Sequence, residues 1–288
     1  MRIDFHTHLF PDAIAARALA RLVENTRPYT ARYGEAHPHT DATAAGLAAA
    51  SRAAGLDVSV AMPIATSPRP SETINNFAAQ VDAMPGLRSF GSVHPRSPDA
   101  MRELERLASL GLKGIKLHPE YQGFFADSPE SAAVVEKAAS LGLWVLFHAG
   151  EDIGMPPPVH CTPAHAVRLC EAVPGARIIL AHLGGYRLWA QVEEALPALR
   201  RHTVYLDTSF CLPNERGEWA RFARIIRGLG PDRVLFGSDS PWADQGEALS
   251  AAREFLEAGG FTPEERAGIL GRNAARILGL EGPDDAGQ

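Results

Sequence analysis

The chain has 288 residues, 45% hydrophobic and 22% charged, with a formal net charge of −6; this is the balance of a globular protein with a substantial core, and the scattered Lys and Arg form no basic stripe for nucleic acid. No run reaches the ~18 apolar residues of a membrane span, and the opening MRIDFHTHLFPD lacks a signal-peptide apolar stretch. Cys161, Cys170 and Cys211 show no CxxC spacing and cannot all pair with one another, so the expectation is a cytoplasmic protein with no disulfide framework and no nucleic-acid or membrane partner.

Short apolar, β-branched runs occur at 2–6 (RIDFH), 57–62 (DVSVAM), 88–93 (RSFGSV) and 113–118 (KGIKLH), then at 143–148 (LWVLFH), 177–182 (RIILAH), 203–207 (TVYLD) and 233–238 (RVLFGS). The connection 7–56 is the longest, and its polar, Pro-containing stretch NTRPYTARYGEAHPHT predicts an active-site loop or small insertion. Between most later runs lie Ala/Leu/Glu/Arg-rich helical segments. Ser97-Pro98 and Ser128-Pro129 offer caps before them, and Gly55, Gly111 and Gly142 offer stops. Residues 262–279 read as a closing helical segment, and 281–288 (EGPDDAGQ) as a flexible tail. Eight strands alternating with helices predict one (β/α)8 TIM barrel over residues 1–280, with a long first connection. The alternative, an open doubly wound sheet, loses its nucleotide-binding versions because neither GxGxxG nor GxxxxGK[ST] occurs.

A parallel barrel gathers its active site at the carboxyl ends of its strands. Here those ends carry His6 and His8, Lys116 and His118, His148, His182 and Asp239, although buried parallel strands are usually apolar throughout. His6 and His8 are two apart and share a strand face, with Ile3 and Phe5 expected outward and Asp4, His6 and His8 inward. Two imidazoles so spaced reach one ion at about 2.0–2.1 Å each. A lone strand histidine is commonly a satisfied core residue; two, at His148 and His182, each at a strand end with glycine two positions on, favour function. Those glycines would let a substrate approach the backbone. Asp239, after VLFGS, needs a cation or several donors if buried; its bland reading is a helix cap. Lys116 suits a carbamate between two metals, a substrate carboxylate, or a purely electrostatic role behind the ligands. His94 is a weaker candidate, and the second HxH pair, His37 and His39, falls in a polar loop.

With IDFHTHLFP, GIKLHPEYQGF, VLFHAG, LAHLGG and LFGSDSPW in this order over residues 3–242, the sequence resembles the amidohydrolase-related family of metal-dependent TIM-barrel hydrolases and decarboxylases. The resemblance implies metal ligands at His6, His8, His148 and Asp239. It gives His182 a role beside the bound water or substrate. Lys116 falls near a lysine that is carboxylated in two-metal members, so the metal count stays open. The expected cofactor is one Zn2+, with Mn2+ or a second metal as alternatives.

The first expectation for activity is hydrolysis of an amide or lactone-like bond in a small molecule. Metal-activated water would attack, Asp239 would move its proton and His182 would position it. Lys116, His118, Arg187 and Trp242 are the expected substrate contacts, with Tyr186 beside Arg187. The runner-up is a lyase acting on an aromatic or unsaturated carboxylic acid, as decarboxylase or hydratase. A third reading, a barrel that binds small molecules without catalysis, predicts no stoichiometric metal. A homo-oligomer remains open. Loops 9–40, 119–128 and 150–162 should shape the pocket, with Phe10, Tyr121, Phe124, Phe125, Met155 and Trp242 as apolar walls.

Overall fold

Eight short strands alternate with helices in the computed structural model, which describes residues 1–69 and 71–281. They are β1 (Ile3–Thr7), β2 (Val58–Ala61), β3 (Leu87–Ser89), β4 (Gly114–Leu117), β5 (Trp144–Phe147), β6 (Arg177–Leu180), β7 (Thr203–Asp207) and β8 (Val234–Leu235). All pair in parallel, in the orders β1-β2-β3 and β4-β5-β6-β7-β8. Backbone bonds close both seams. Gly91 N donates to Gly114 O at 2.9 Å and Lys116 N to Gly91 O at 2.8 Å. Across the other seam, Phe5 N donates to Phe236 O at 2.8 Å and Asp239 N to His6 O at 2.9 Å. The two ladders therefore form one ring without a free edge, the barrel that the alternation predicted. Pro70 and residues 282–288, nearly all of the expected flexible tail, lie outside the described residues.

The third and eighth strands are shorter than their apolar runs. Past β3, Ser92 N donates to the Asn75 side chain at 2.8 Å instead of to a neighbouring strand. Past β8, the chain reaches φ 74° at Asp239, which ends the extended conformation. The first connection is more helical than expected, with helices at Asp12–Thr26 and Ala44–Ala54. Thr43 caps the second of these and Gly55, left-handed, terminates it. Ser128 caps the helix Pro129–Ser140 as predicted. Ser97 does not cap, because its hydroxyl accepts from Asp99 N within a turn before the helix starts at Ala100.

Ile3, Phe5, Val58, Val60, Phe90, Leu146, Ile179 and Leu235 form one buried cluster with Ala274, Ala275, Ile277 and Leu278. Side chains from so many strands meet only inside the ring. This is the interior layer at the amino end, stoppered by the helix Asn273–Leu278. Neighbouring strand residues such as Ile115, Leu117, Val145 and Phe147 face the outer helices.

The alternation read for β1 is corrected by this packing. Ile3 and Phe5 face inward, and Asp4 faces outward, where it accepts from Gln245 Nε2 at 2.7 Å and Ser238 Oγ at 2.6 Å. Asp4 pairs with Ser59 and Thr7 with Ala61, so β1 carries one extra residue between them. That bulge re-aims the chain: His6 and His8 turn inward directly after an inward Phe5. Gly237 makes room for the turn, since a Cβ there would lie 2.9 Å from His6 Cβ.

Among the described residues, no helix is long and apolar enough to cross a membrane. The three cysteines are buried and unpaired.

Candidate active site

Hydrogen bonds at the carboxyl end of the barrel fix which imidazole nitrogens carry protons. His6 is fully buried, with Nδ1 2.8 Å from Asp207 Oδ2. A carboxylate only accepts, so Nδ1 holds the proton and Nε2 keeps its lone pair. His8 Nδ1 donates to Met62 O at 3.1 Å, which again leaves Nε2 bare. His182 Nδ1 donates to Ser209 O at 3.0 Å, so its Nε2 accepts from His148 Nδ1 at 3.0 Å. His148 Nε2 is then also a bare lone pair, and it is buried without a partner.

Three bare imidazole nitrogens therefore face this space together with the Asp239 carboxylate. His8 Nε2 lies 3.1 Å and His6 Nε2 3.6 Å from Asp239 Oδ1. Acceptors that crowd together out of water call for positive charge, and imidazole with carboxylate is the donor chemistry of zinc and related divalent ions. The acceptors behind His6 and His8 fix their tautomers as metal sites usually require. The donor set fits a divalent ion.

His6, His8 and Asp239 form one group whose ligand atoms lie within 4.8 Å of one another. His148, the fourth expected ligand, stands apart from that group. It clusters with His118 and Asp152 and connects to His182. The rings of His118 and His148 stack at 4.2 Å, only 9° from parallel. His118 Nδ1 accepts from Tyr121 N at the start of the helix Pro119–Gln122. Its proton therefore sits on Nε2, 3.4 Å from Asp152 Oδ2. A nitrogen bearing a proton is no ligand, so of the two imidazoles in this second cluster only His148, through its bare Nε2, is ready to ligate.

Lys116 is buried beneath these groups, with Nζ 3.1 Å from His6 Nε2. Burial lowers its pKa to about 8, against the opposing pull of Asp207 and Asp239. Burial, then the Lys116 charge, brings His6 to about 4. Burial also holds His118 and His148 well below the usual imidazole range. For Asp239 burial acts to raise the pKa, but the His8 imidazole beside it and the fields of His6 and His182 outweigh it and hold the group at about 2. Asp239 is thus an ionised carboxylate on a left-handed, non-glycine backbone, the kind of strain that clusters at functional sites.

A cavity of about 540 Å³ opens above this floor, lined by His8, Lys116, His118, His148, His182 and Asp239. Of the expected walls, Phe10, Tyr121 and Trp242 line it. Phe124 is packed in the core, Phe125 is exposed, and Met155 lines a separate crevice. Residues 62–67, with Ile74 and Phe77, contribute a wall that sequence reading did not foresee. Tyr186 lines the cavity and donates to Glu215, whereas Arg187 is not among the lining residues: it lies over the Tyr33 ring and pairs with Glu215 at 3.5 Å. His94 accepts from Arg96 N in a local turn, and His37 pairs with Glu35 in solvent. Gly150 accommodates the protein's own backbone, not a substrate: a Cβ there would lie 2.0 Å from Tyr186 N.

Sequence reading missed Asp207, Ser209, Asp152 and Glu120. Asp207 and Ser209 orient His6 and His182. Asp207 had a usable signal, since it too ends a predicted strand. Asp152 and Glu120 sit after β5 and β4, where no periodicity marks them. Burial raises Glu120 to about 7.

A parallel barrel with ligand-ready imidazoles and a carboxylate at its carboxyl end has the architecture of a metal-dependent barrel enzyme. The chain belongs to the amidohydrolase family, whose model matches residues 3–280. Among curated proteins, none matches it in sequence. Similar solved structures include 5-carboxyvanillate decarboxylase from Sphingomonas paucimobilis, at 21% identity and TM-score 0.71, covering 97% of this chain and 99% of that one. A dihydroxybenzoic acid decarboxylase from Polaromonas sp. JS666, with bound manganese and 2-nitroresorcinol, is 18% identical at TM-score 0.70, with coverage of 100% and 99%. A zinc-bound amidohydrolase from Burkholderia multivorans is 17% identical at TM-score 0.70, with coverage of 98% and 100%. At these identities the likeness is one of fold.

Proposed function

We propose that the protein is a metal-dependent decarboxylase of an aromatic carboxylic acid. The observation that carries this reading is the pairing of a buried cation, Lys116, with a ligand-ready cluster at the base of a cavity whose upper walls are largely apolar. Such a site takes a carboxylate head and an apolar body. The two decarboxylases of similar fold lend it support.

The ligand set is His6, His8 and Asp239, with His148 as the fourth through its unpartnered Nε2. A divalent ion held there, zinc or manganese as in the similar structures, supplies positive charge that binds and orients the substrate's oxygens. Lys116 and His118 hold the carboxylate, and Trp242 and Tyr121 flank the ring. Asp239, ionised at rest, takes up a proton from solvent and passes it to the ring carbon bearing the carboxyl group, where a π electron pair of the ring forms the new C–H bond. The bond between that carbon and the carboxyl group then breaks, its electron pair restores the π system of the ring, and CO2 leaves. Each turnover takes up one proton from solvent. His182, held by Ser209 and His148, positions the substrate oxygens for that transfer.

The test is release of CO2 from 2,6-dihydroxybenzoate-like acids by protein loaded with zinc or manganese, run beside lactone and amide substrates. Turnover of lactones or amides without CO2 release would return the protein to the hydrolytic reading.

A further inference from the structure

The helix Asp12–Thr26 is anomalous for a barrel protein. Of its fifteen residues only Ala15 and Thr26 are buried. Ile14, Ala18 and Leu22 recur at a spacing of four, which stacks them on one face. None of the three belongs to, or packs against, any core cluster among the described residues. All three line the cavity above the candidate metal centre instead. Ile64, Ile74 and Phe77, from the segment after β2, line the same cavity, and Ile14 is 38% exposed. An apolar stripe that skips the core and faces a cavity continuous with a polar floor has a specific use: it receives the far end of whatever the floor holds.

We infer that Ile14, Ala18 and Leu22, with Ile64, Ile74 and Phe77, form a subsite for an uncharged hydrocarbon tail on the substrate. The acid is then larger than a single substituted ring. Its carboxylate lies at the floor and an alkyl chain or second ring extends from the far side along the helix Asp12–Thr26. This identification of the substrate class rests on the acid-binding reading above. The cavity, at about 540 Å³, is of the size that holds a drug-sized ligand, well beyond one benzoate. Besides Lys116, Asp152 and Asp239 of the site already described, the charged side chains lining it among the described residues are Arg69 and Glu151. They stand opposite in sign, so the subsite has no net preference for a charged tail.

The experiment measures binding of two homologous series to zinc-loaded protein by calorimetry. One series runs from para-methylbenzoate to para-hexylbenzoate, and the other consists of the matching uncharged para-alkylbenzyl alcohols. In the benzoate series, affinity should rise about two- to fourfold per methylene, the gain from burying each CH2. Leu22→Trp, which fills the subsite, should flatten that rise, and Leu22→Ala should reduce its slope. A rise in the alcohols alone keeps the tail subsite and refutes the acid-binding reading. No chain-length dependence in either series overturns the inference. So does a concentration-dependent dimer that Leu22→Trp dissociates, because a second copy would then be the occupant of the stripe.

Discussion

The two ends of the barrel interior use the same strands for opposite purposes. At the amino end, Ile3, Phe5, Leu146, Ile179 and Leu235 close on one another and on the helix Asn273–Leu278. At the carboxyl end, the same chains deliver His6, His148, His182 and Asp239, buried but bristling with acceptors. A single extra residue in β1 marks the border, so that Phe5 and His6, adjacent in sequence, serve different ends. The lesson is that one half of the interior supplies the stability that the other half expends on holding polar groups out of water.

Four experiments sharpen that contrast. The largest effect is expected for His6→Ala, which should eliminate bound metal and turnover together while leaving thermal unfolding cooperative. Metal analysis and CO2 release measure it, and retention of both would refute the proposed ligand set. Next is Phe5→Ala in the amino-end layer, expected to cost about 3–5 kcal/mol of stability in urea unfolding. The folded variant should still bind metal at the wild-type ratio.

Third is acidification of metal-free protein. His6 is held at about 4 in the fold and near 6.5 when unfolded. The unfolded chain therefore binds more protons between those values, and stability present above pH 6.5 is lost as pH falls toward 4. The contribution of His6 is on the order of 3 kcal/mol, and His118 and His148 act in the same direction. Asp4 works against it: burial raises its carboxyl to about 6, which favours the fold at the acid end. Urea midpoints from pH 7 to pH 4 give the balance, and a flat profile would contradict the buried neutral imidazoles. Smallest is Asp207→Asn, which turns an obligate acceptor behind His6 into a group that also donates. Metal affinity should drop about 10- to 100-fold, read by competition with a chelator, with little change in unfolding. An unchanged affinity would show that Asp207 does not orient His6.

Much of this site was legible because strand ends are easy to find in a βα rhythm. A polar residue closing an apolar run stands out, as His148, His182 and Asp239 do. Asp207 obeyed the same rule, and reading it would have supplied the partner of His6. What resisted was whatever broke a period. The β1 bulge reversed the expected facing of Ile3 and Phe5, because alternation assumes an unbroken strand. Asp152 and Glu120 lie in loops, which carry no repeat. The helix Asp12–Thr26 hid inside a connection read as a loop, because its apolar spacing serves a cavity and not a core. Arg187 failed as a cavity contact because its neighbours Tyr33 and Glu215 hold it away.

The stopper helix Asn273–Leu278 follows all eight strands in the chain, yet it covers the first strand's Ile3 and Phe5. The ring also closes only when β8 reaches β1, across nearly the whole chain. During synthesis the amino-end hydrocarbon layer therefore stays open until residues 273–278 have emerged. A stalled or truncated product would present that greasy surface to the cell, making it a natural client for chaperones and proteases.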